Sequence, residues 1–228
     1  SLKHQGSILT FLPGQREINQ ARDWLVEQNR DSQLDIYALS GALTLAEQQQ
    51  AIAPSPQGRR KLVLTTNIAE TSLTIEGIEV VVDSGFCRQA VYHPKHGLTR
   101  LDTVAISQAA AIQRAGRAGR LSAGICYRLD SAELWQRRIA FTPASILQSD
   151  LTSLLLEISA WGCSPEQLFW LDQPPQANLK SAAWVLLQLK AITNKGQITD
   201  FGRQLLATGT EPRLAALVLH GKALEQQG

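Results

Sequence analysis

Five short runs rich in β-branched residues recur through the first 130 residues, and helical stretches separate most of them. The runs cover residues 7–12, 34–39, 61–65, 80–83 and 125–129; the helical stretches cover 15–28, 44–52 and 108–117. Parallel neighbours in a sheet need a crossover connection between them, usually a helix. Alternation at this spacing predicts an α/β fold, a mostly parallel sheet with helices on both faces. Pro13-Gly14 punctuates the first run ahead of its helix. Between residues 86 and 106 two polar runs flank His93-Pro94-Lys95-His96-Gly97, which is hairpin chemistry.

Beyond about Asp130 the strand pattern stops. Residues 146–161 carry helical periodicity with Gly162 as a C-cap, and Pro174-Pro175 then breaks the chain. A second apolar helix is expected over 178–192. Lys195-Gly196-Gln197 forms a tight turn between short extended pieces, and Thr199 caps a helix over 200–207. Helices followed by a two-stranded wing make a winged-helix arrangement, which often reads DNA. The 181–189 stretch is densely apolar, however, with Lys180 and Lys190 only at its ends, so it suits packing better than a groove. The expected domains are therefore 1–130, a mostly α winged-helix domain over 131–208, and the start of a truncated helical domain over 209–228.

Composition excludes several classes. The net charge of +2 argues against a protein that coats DNA electrostatically, though a local basic channel remains compatible with it. No apolar run reaches membrane-span length, so no membrane partner is expected. The three cysteines are scattered and odd in number, which fits a reducing, cytoplasmic setting. The four histidines are spread out, and no metal site is expected. No phosphate loop and no DEAH tetrapeptide occurs. There is no methionine, and the chain opens on Ser1 almost at once in a core strand, so an internal fragment of a longer enzyme is expected.

Two motifs carry chemistry. Residues 113–120 read QRAGRAGR. Arg117 and Arg120 lie three apart, one helical turn, so both guanidiniums can face one way. Gly116 and Gly119 bare the backbone beside them. Paired forked donors suit a polyphosphate, and such arginines complete phosphate sites in NTP hydrolysis. The plain alternative is a solvated basic helix face. Residues 66–75 read TNIAETSLTI, a polar loop fed by the strand KLVLT. Loops at the carboxyl ends of parallel strands bind ligands. The same residues also read as a capped helix start, with Glu70 in its first turn.

Together these runs resemble motifs V and VI of the DEAH-box helicases of superfamily 2. ILTFLPGQREI over 8–18 resembles motif IV and its helix, while YALSGALTLAEQ over 37–48 and VVVDSGF over 80–86 match the neighbouring strands. HPKHGLTRLDTVAISQAAA before QRAGRAGR, and WGCSPEQLFWLDQPP after it, look most like the bacterial HrpB branch. The resemblance covers essentially the whole chain. It implies a RecA-like second motor lobe of an ATP-dependent RNA helicase. ATP or another NTP with Mg2+ would be held mainly by a first RecA-like lobe. Arg117 and Arg120 would reach the γ-phosphate across the bare backbone at Gly116, with Gln113 near the attacking water. Thr74 and Glu76 would lie near the ribose. Ile52 would stand where many members carry an aromatic residue on the base. Ser40, Gly41, Thr66 and Lys95 would touch single-stranded nucleic acid, RNA by family. In the family the winged helix is a brace under the motor. The chain alone would be inactive. The competing class is a non-catalytic winged-helix nucleic-acid- or partner-binding module with a degenerate motor lobe.

Overall fold

The computed structural model describes residues 6–29, 31, 33–56, 59–71, 73–93, 97–118 and 123–225. It divides into two compact units, residues 1–89 with 101–142 and residues 90–100 with 143–228.

The first unit is built on β1 (Ser7–Phe11), β2 (Leu34–Leu39), β3 (Arg60–Thr65), β4 (Ile78–Asp83) and β7 (Ile125–Arg128). All pair in parallel, in the order β2-β3-β1-β4-β7. The three central strands are the most continuously apolar because helices cover both of their faces. Alternate residues divide between the faces. Leu9, Phe11 and Val63 join Ala51, Ala69 and Ala118 in one core. Ile8, Leu62, Leu64 and Val80 enclose Ile18 of α1 (Gln15–Gln28) in another. On the first face lie α2 (Leu45–Ile52), the short α3 (Ile68–Thr71) and α4 (Gln108–Ala115). Thr44, expected inside α2, is its N-cap: its hydroxyl accepts from the Glu47 amide while Glu47 bonds back to the Thr44 amide, a reciprocal capping box. The α4 helix stops at Ala115 rather than running on to Arg117.

The expected hairpin is β5 (Phe86–His93) paired with β6 (Leu98–Ala105) as a separate two-stranded sheet. Its turn, with Lys95, lies outside the described residues. At the hairpin base Gly85 adopts φ +79°, and Arg138, just past α5 (Ala132–Arg137), donates to Gly85 O at 2.9 Å and Ile106 O at 2.8 Å. Asp130 holds that guanidinium at 2.9 Å.

The second unit packs α6 (Thr152–Trp161), α7 (Gln176–Gln188), α8 (Asp200–Ala207) and α9 (Pro212–Glu225) around one core. The helix expected over 146–161 is split into a 3₁₀ turn at Ser145–Leu147 and α6. Asp150 causes the restart: its Oδ1 accepts from the Thr152 amide at 2.8 Å and the Thr152 hydroxyl at 2.5 Å. Gly162 ends α6 at φ +78°, as the sequence suggested. Where a two-stranded wing was expected there is one antiparallel bridge, Ile192 to Ile198, around Gly196 at φ +77°. Thr199 caps α8 through the Gly202 amide at 3.0 Å. The α7 stretch expected to pack does so, burying Leu179, Ala182 and Leu186. Among the described residues, no helix is long and apolar enough to cross a membrane.

Leu156 of α6 is 1% exposed in the second core. Leu156→Ala should cost about 2–5 kcal/mol in urea denaturation, the range for leucine truncation in close-packed interiors.

Candidate nucleotide and nucleic-acid site

Parallel strands end together, and these strands deliver their chemistry to one edge. Leu39 pairs with Thr65 at the carboxyl ends of β2 and β3, so the next residues, Ser40 and Thr66, leave the sheet side by side. Ser40 is 4% exposed and its hydroxyl donates to Gln15 Oε1 at the start of α1. Gly41 is exposed, and a Cβ added there would meet nothing within 4 Å, so the chain itself leaves its surface open. The Thr66 amide donates to Leu39 O at 3.4 Å. Its hydroxyl has no partner among the described residues and caps nothing.

Asp83 ends β4 on the same edge, and Arg114 of α4 meets it. Arg114 is wholly buried. Its Nη1 donates to Asp83 Oδ1 at 2.9 Å and Phe86 O at 3.2 Å, its Nε donates to Glu70 Oε2 at 3.0 Å, and its guanidinium lies 4.8 Å from the Phe11 ring centroid. Asp83 Oδ1 also accepts from the Gly85 amide at 2.9 Å. Asp83 Oδ2 and Arg114 Nη2 are buried without a hydrogen-bond partner, so the cluster is tied down but not saturated. Cys87 nearby stays a neutral thiol, because burial pushes its pKa up.

One turn further on, Arg117 is 9% exposed. Its Nη1 donates to Leu73 O at 2.8 Å and its Nη2 to Glu70 O. Glu70 therefore serves both arginines, by its carboxylate for Arg114 and its carbonyl for Arg117. Arg117 lines an open cleft of about 380 Å3 with Gln113, Gly116, Glu70 and Thr71. Gly116 sits at φ −62°, so the backbone does not demand glycine; its value is the bare surface it gives the cleft. Arg120 lies outside the described residues.

The remaining expected nucleotide contacts gather elsewhere on the unit. Glu76 and Thr74 are exposed on the return path from α3 to β4. Glu76 lines a second cleft of about 330 Å3 with Pro54, Ser55, Arg59, Arg60 and Gly77. Arg59 pairs with Asp35, whose carboxyl it holds below the usual range. Ile52 is half-buried against the core rather than projecting freely. The single stretch from Leu73, which holds Arg117, to Gly77 joins the two clefts. Among the described residues, no three His, Cys, Asp or Glu side chains cluster to hold a metal.

The arginine run drew attention to Arg117 and Arg120, and the structure shows its first arginine, Arg114, to be an ion-pair residue. The sequence reading missed Asp83 as its acceptor, although Asp83 is an acid closing an otherwise apolar strand. It also missed Lys61, a lysine inside an apolar strand.

A parallel lobe with paired-arginine chemistry beside a strand-end loop defines a class. The helicase conserved C-terminal domain family matches residues 1–122, and the chain belongs to that family, as the C-terminal lobe of the DEAH-box type. It is similar to the ATP-dependent RNA helicase HrpB of Escherichia coli strain K12, with 48% identity over 96% of this chain and 27% of that protein. It is 37% identical to the ATP-dependent RNA helicase HrpA of Borreliella burgdorferi over 90% of this chain and 25% of that protein. The crystal structure of the Escherichia coli DEAH/RHA helicase HrpB matches with a TM-score of 0.89 and 48% identity, over 94% of this chain and 27% of that one. The chain thus spans about a quarter of the length of these relatives.

Arg114→Ala would leave Asp83 buried and uncompensated. Removing one partner of a buried pair costs about 3–5 kcal/mol, and urea denaturation of the variant should read a loss of that size. A loss under about 1 kcal/mol would mean the cluster is solvated and binds nothing together.

Proposed function

We propose that this chain is the second motor lobe of an ATP-dependent RNA helicase. It supplies arginine fingers to a nucleotide held mainly by a first RecA-like lobe, and one side of a single-strand track. The observation that carries this reading is the Arg114–Glu70–Asp83 cluster. It ties the finger helix α4 to the loop that begins at Thr66, so phosphate and nucleic acid would be sensed by one rigid piece.

In this reading Arg117 and Arg120 face the γ-phosphate when the lobes close. Arg117 donates to the Leu73 and Glu70 carbonyls, and a phosphate oxygen is a stronger acceptor for a guanidinium than a carbonyl is. Bound ATP with Mg2+ supplies the phosphoanhydride whose cleavage drives the motor. Mg2+ belongs to the other lobe, since the acidic pair and phosphate loop that would grip it are absent from this sequence. Gln113 orients the attacking water, Thr74 and Glu76 face the ribose, and Ile52 offers apolar contact without stacking, which suits relaxed NTP choice. Ser40, Gly41 and Thr66 touch the sugar–phosphate backbone, and Lys95 adds a charge from the hairpin. The first domain, 1–130, does this work. The second, 131–208, is a winged-helix brace, supported by the burial of Leu179, Ala182 and Leu186 of α7. The setting is cytoplasmic.

Two measurements test this. In a protein carrying both lobes, Arg117→Ala should slow phosphate release by roughly 10³-fold or more while nucleotide affinity stays within a few-fold, as for arginine fingers elsewhere. The isolated chain should release none above background. Turnover within about tenfold of wild type would make Arg117 structural instead.

The isolated chain should bind labelled single-stranded RNA weakly, with little sequence preference, and lose affinity as salt rises. Fluorescence anisotropy across a salt series reads this, and Thr66→Ala should weaken it. Tight duplex binding lost on mutating Lys180 or Lys190 would move nucleic-acid recognition to the second unit.

A further inference from the structure

Lys61 is 1% exposed, an ammonium buried under the sheet edge. All three of its N–H groups have acceptors: Ala51 O at 2.9 Å, Ile52 O at 3.2 Å and Ala53 O at 2.5 Å. These carbonyls belong to the end of α2, where a helix leaves its last C=O groups unpaired and its dipole is negative. The Lys61 amide is fixed in turn by Ser7 Oγ at 3.1 Å.

A helix end is ordinarily closed at little cost by glycine or by a surface cation. A buried lysine is a costly choice, and desolvation pulls its pKa below the usual lysine value while the charge of Glu76 acts the other way. The turn it grips leads directly into Pro54 and Ser55, which share the second cleft with Glu76 and Gly77. Thus one cation sets the backbone that leads into one wall of that cleft.

We propose that Lys61 is a positioning residue of the nucleotide site, holding the Ile52–Pro54 turn that shares the second cleft with Glu76 as one ribose-facing wall. This rests on the reading of Glu76 as a ribose contact. Lys61 itself touches no nucleotide; it acts through the groups it places.

The test compares ATP with 2′,3′-dideoxy-ATP in steady-state hydrolysis by a protein carrying both lobes, with thermal unfolding recorded for each variant. Wild type should favour ATP through KM. Lys61→Met should raise the ATP KM about tenfold, keep kcat within about threefold, and erase the preference for the full ribose. A merely structural lysine would lower the melting temperature and leave the KM ratio alone. Should the Met variant not fold, Lys61→Gln makes the same comparison. A folded Lys61 variant with the wild-type KM ratio would overturn the inference. Glu76→Ala separates the two ideas: preference lost there but kept in the Lys61 variant leaves the ribose reading standing and removes Lys61. Preference kept in Glu76→Ala removes the ribose reading and the inference with it.

Discussion

A guanidinium cannot give up its proton inside a protein, so once buried it must be met by acceptors on several sides. Arg114 is that constraint here. Its acceptors come from the end of β4, from α3 and from the first residue of the hairpin, all of them about 30 to 45 residues before Arg114 in the chain. The parallel sheet brings the strand ends to one edge, and Arg114 makes that edge a single object. Arg117 sits beside this arrangement, donating to the Glu70 and Leu73 carbonyls. The α4 helix and the strand-end loop are thereby mechanically continuous.

The sheet was legible because its signals are local. β-branched runs, helical spacing and Pro-Gly punctuation gave the strands to within a residue or two, and Gly162 and Thr199 announced the ends of their helices. The split of the expected 146–161 helix was not legible, because periodicity continues straight through Asp150 while its carboxylate captures the Thr152 amide. At the site, Arg117, Gln113 and Glu76 could be named from motifs, but their separation into two clefts depends on the path from α3 back to β4. Asp83 and Lys61 were hidden for a common reason. Each is a charged residue in an apolar strand, and only the fold shows which groups meet it there: Arg114 for Asp83, the last carbonyls of α2 for Lys61.

The two units solve stability differently. In the first, two apolar layers sandwich a sheet whose strand-end edge carries a buried charge cluster. The second has one apolar core of helices, with a single antiparallel bridge turning at Gly196 among its described residues. Arg138 does for the hairpin base what Arg114 does for the strand ends, collecting two carbonyls and Asp130 around a guanidinium that is 5% exposed. Arginine thus serves repeatedly as a fastener where irregular backbone must be held without a strand partner.

Glu70 grips one arginine with its side chain and the other with its peptide carbonyl. Side-chain replacement can therefore cut only one of these two links. A scan of this position by mutation would read the Arg114 link and remain blind to the Arg117 link, whatever residue were installed. The second connection is written in main chain, available to any amino acid whose backbone follows the same path. Sequence variation at position 70 could accordingly be wide in charge and still leave the grip on Arg117 intact. Only chemistry that alters the peptide unit itself, such as replacing the amide that follows Glu70 with an ester to weaken its carbonyl as an acceptor, would expose it.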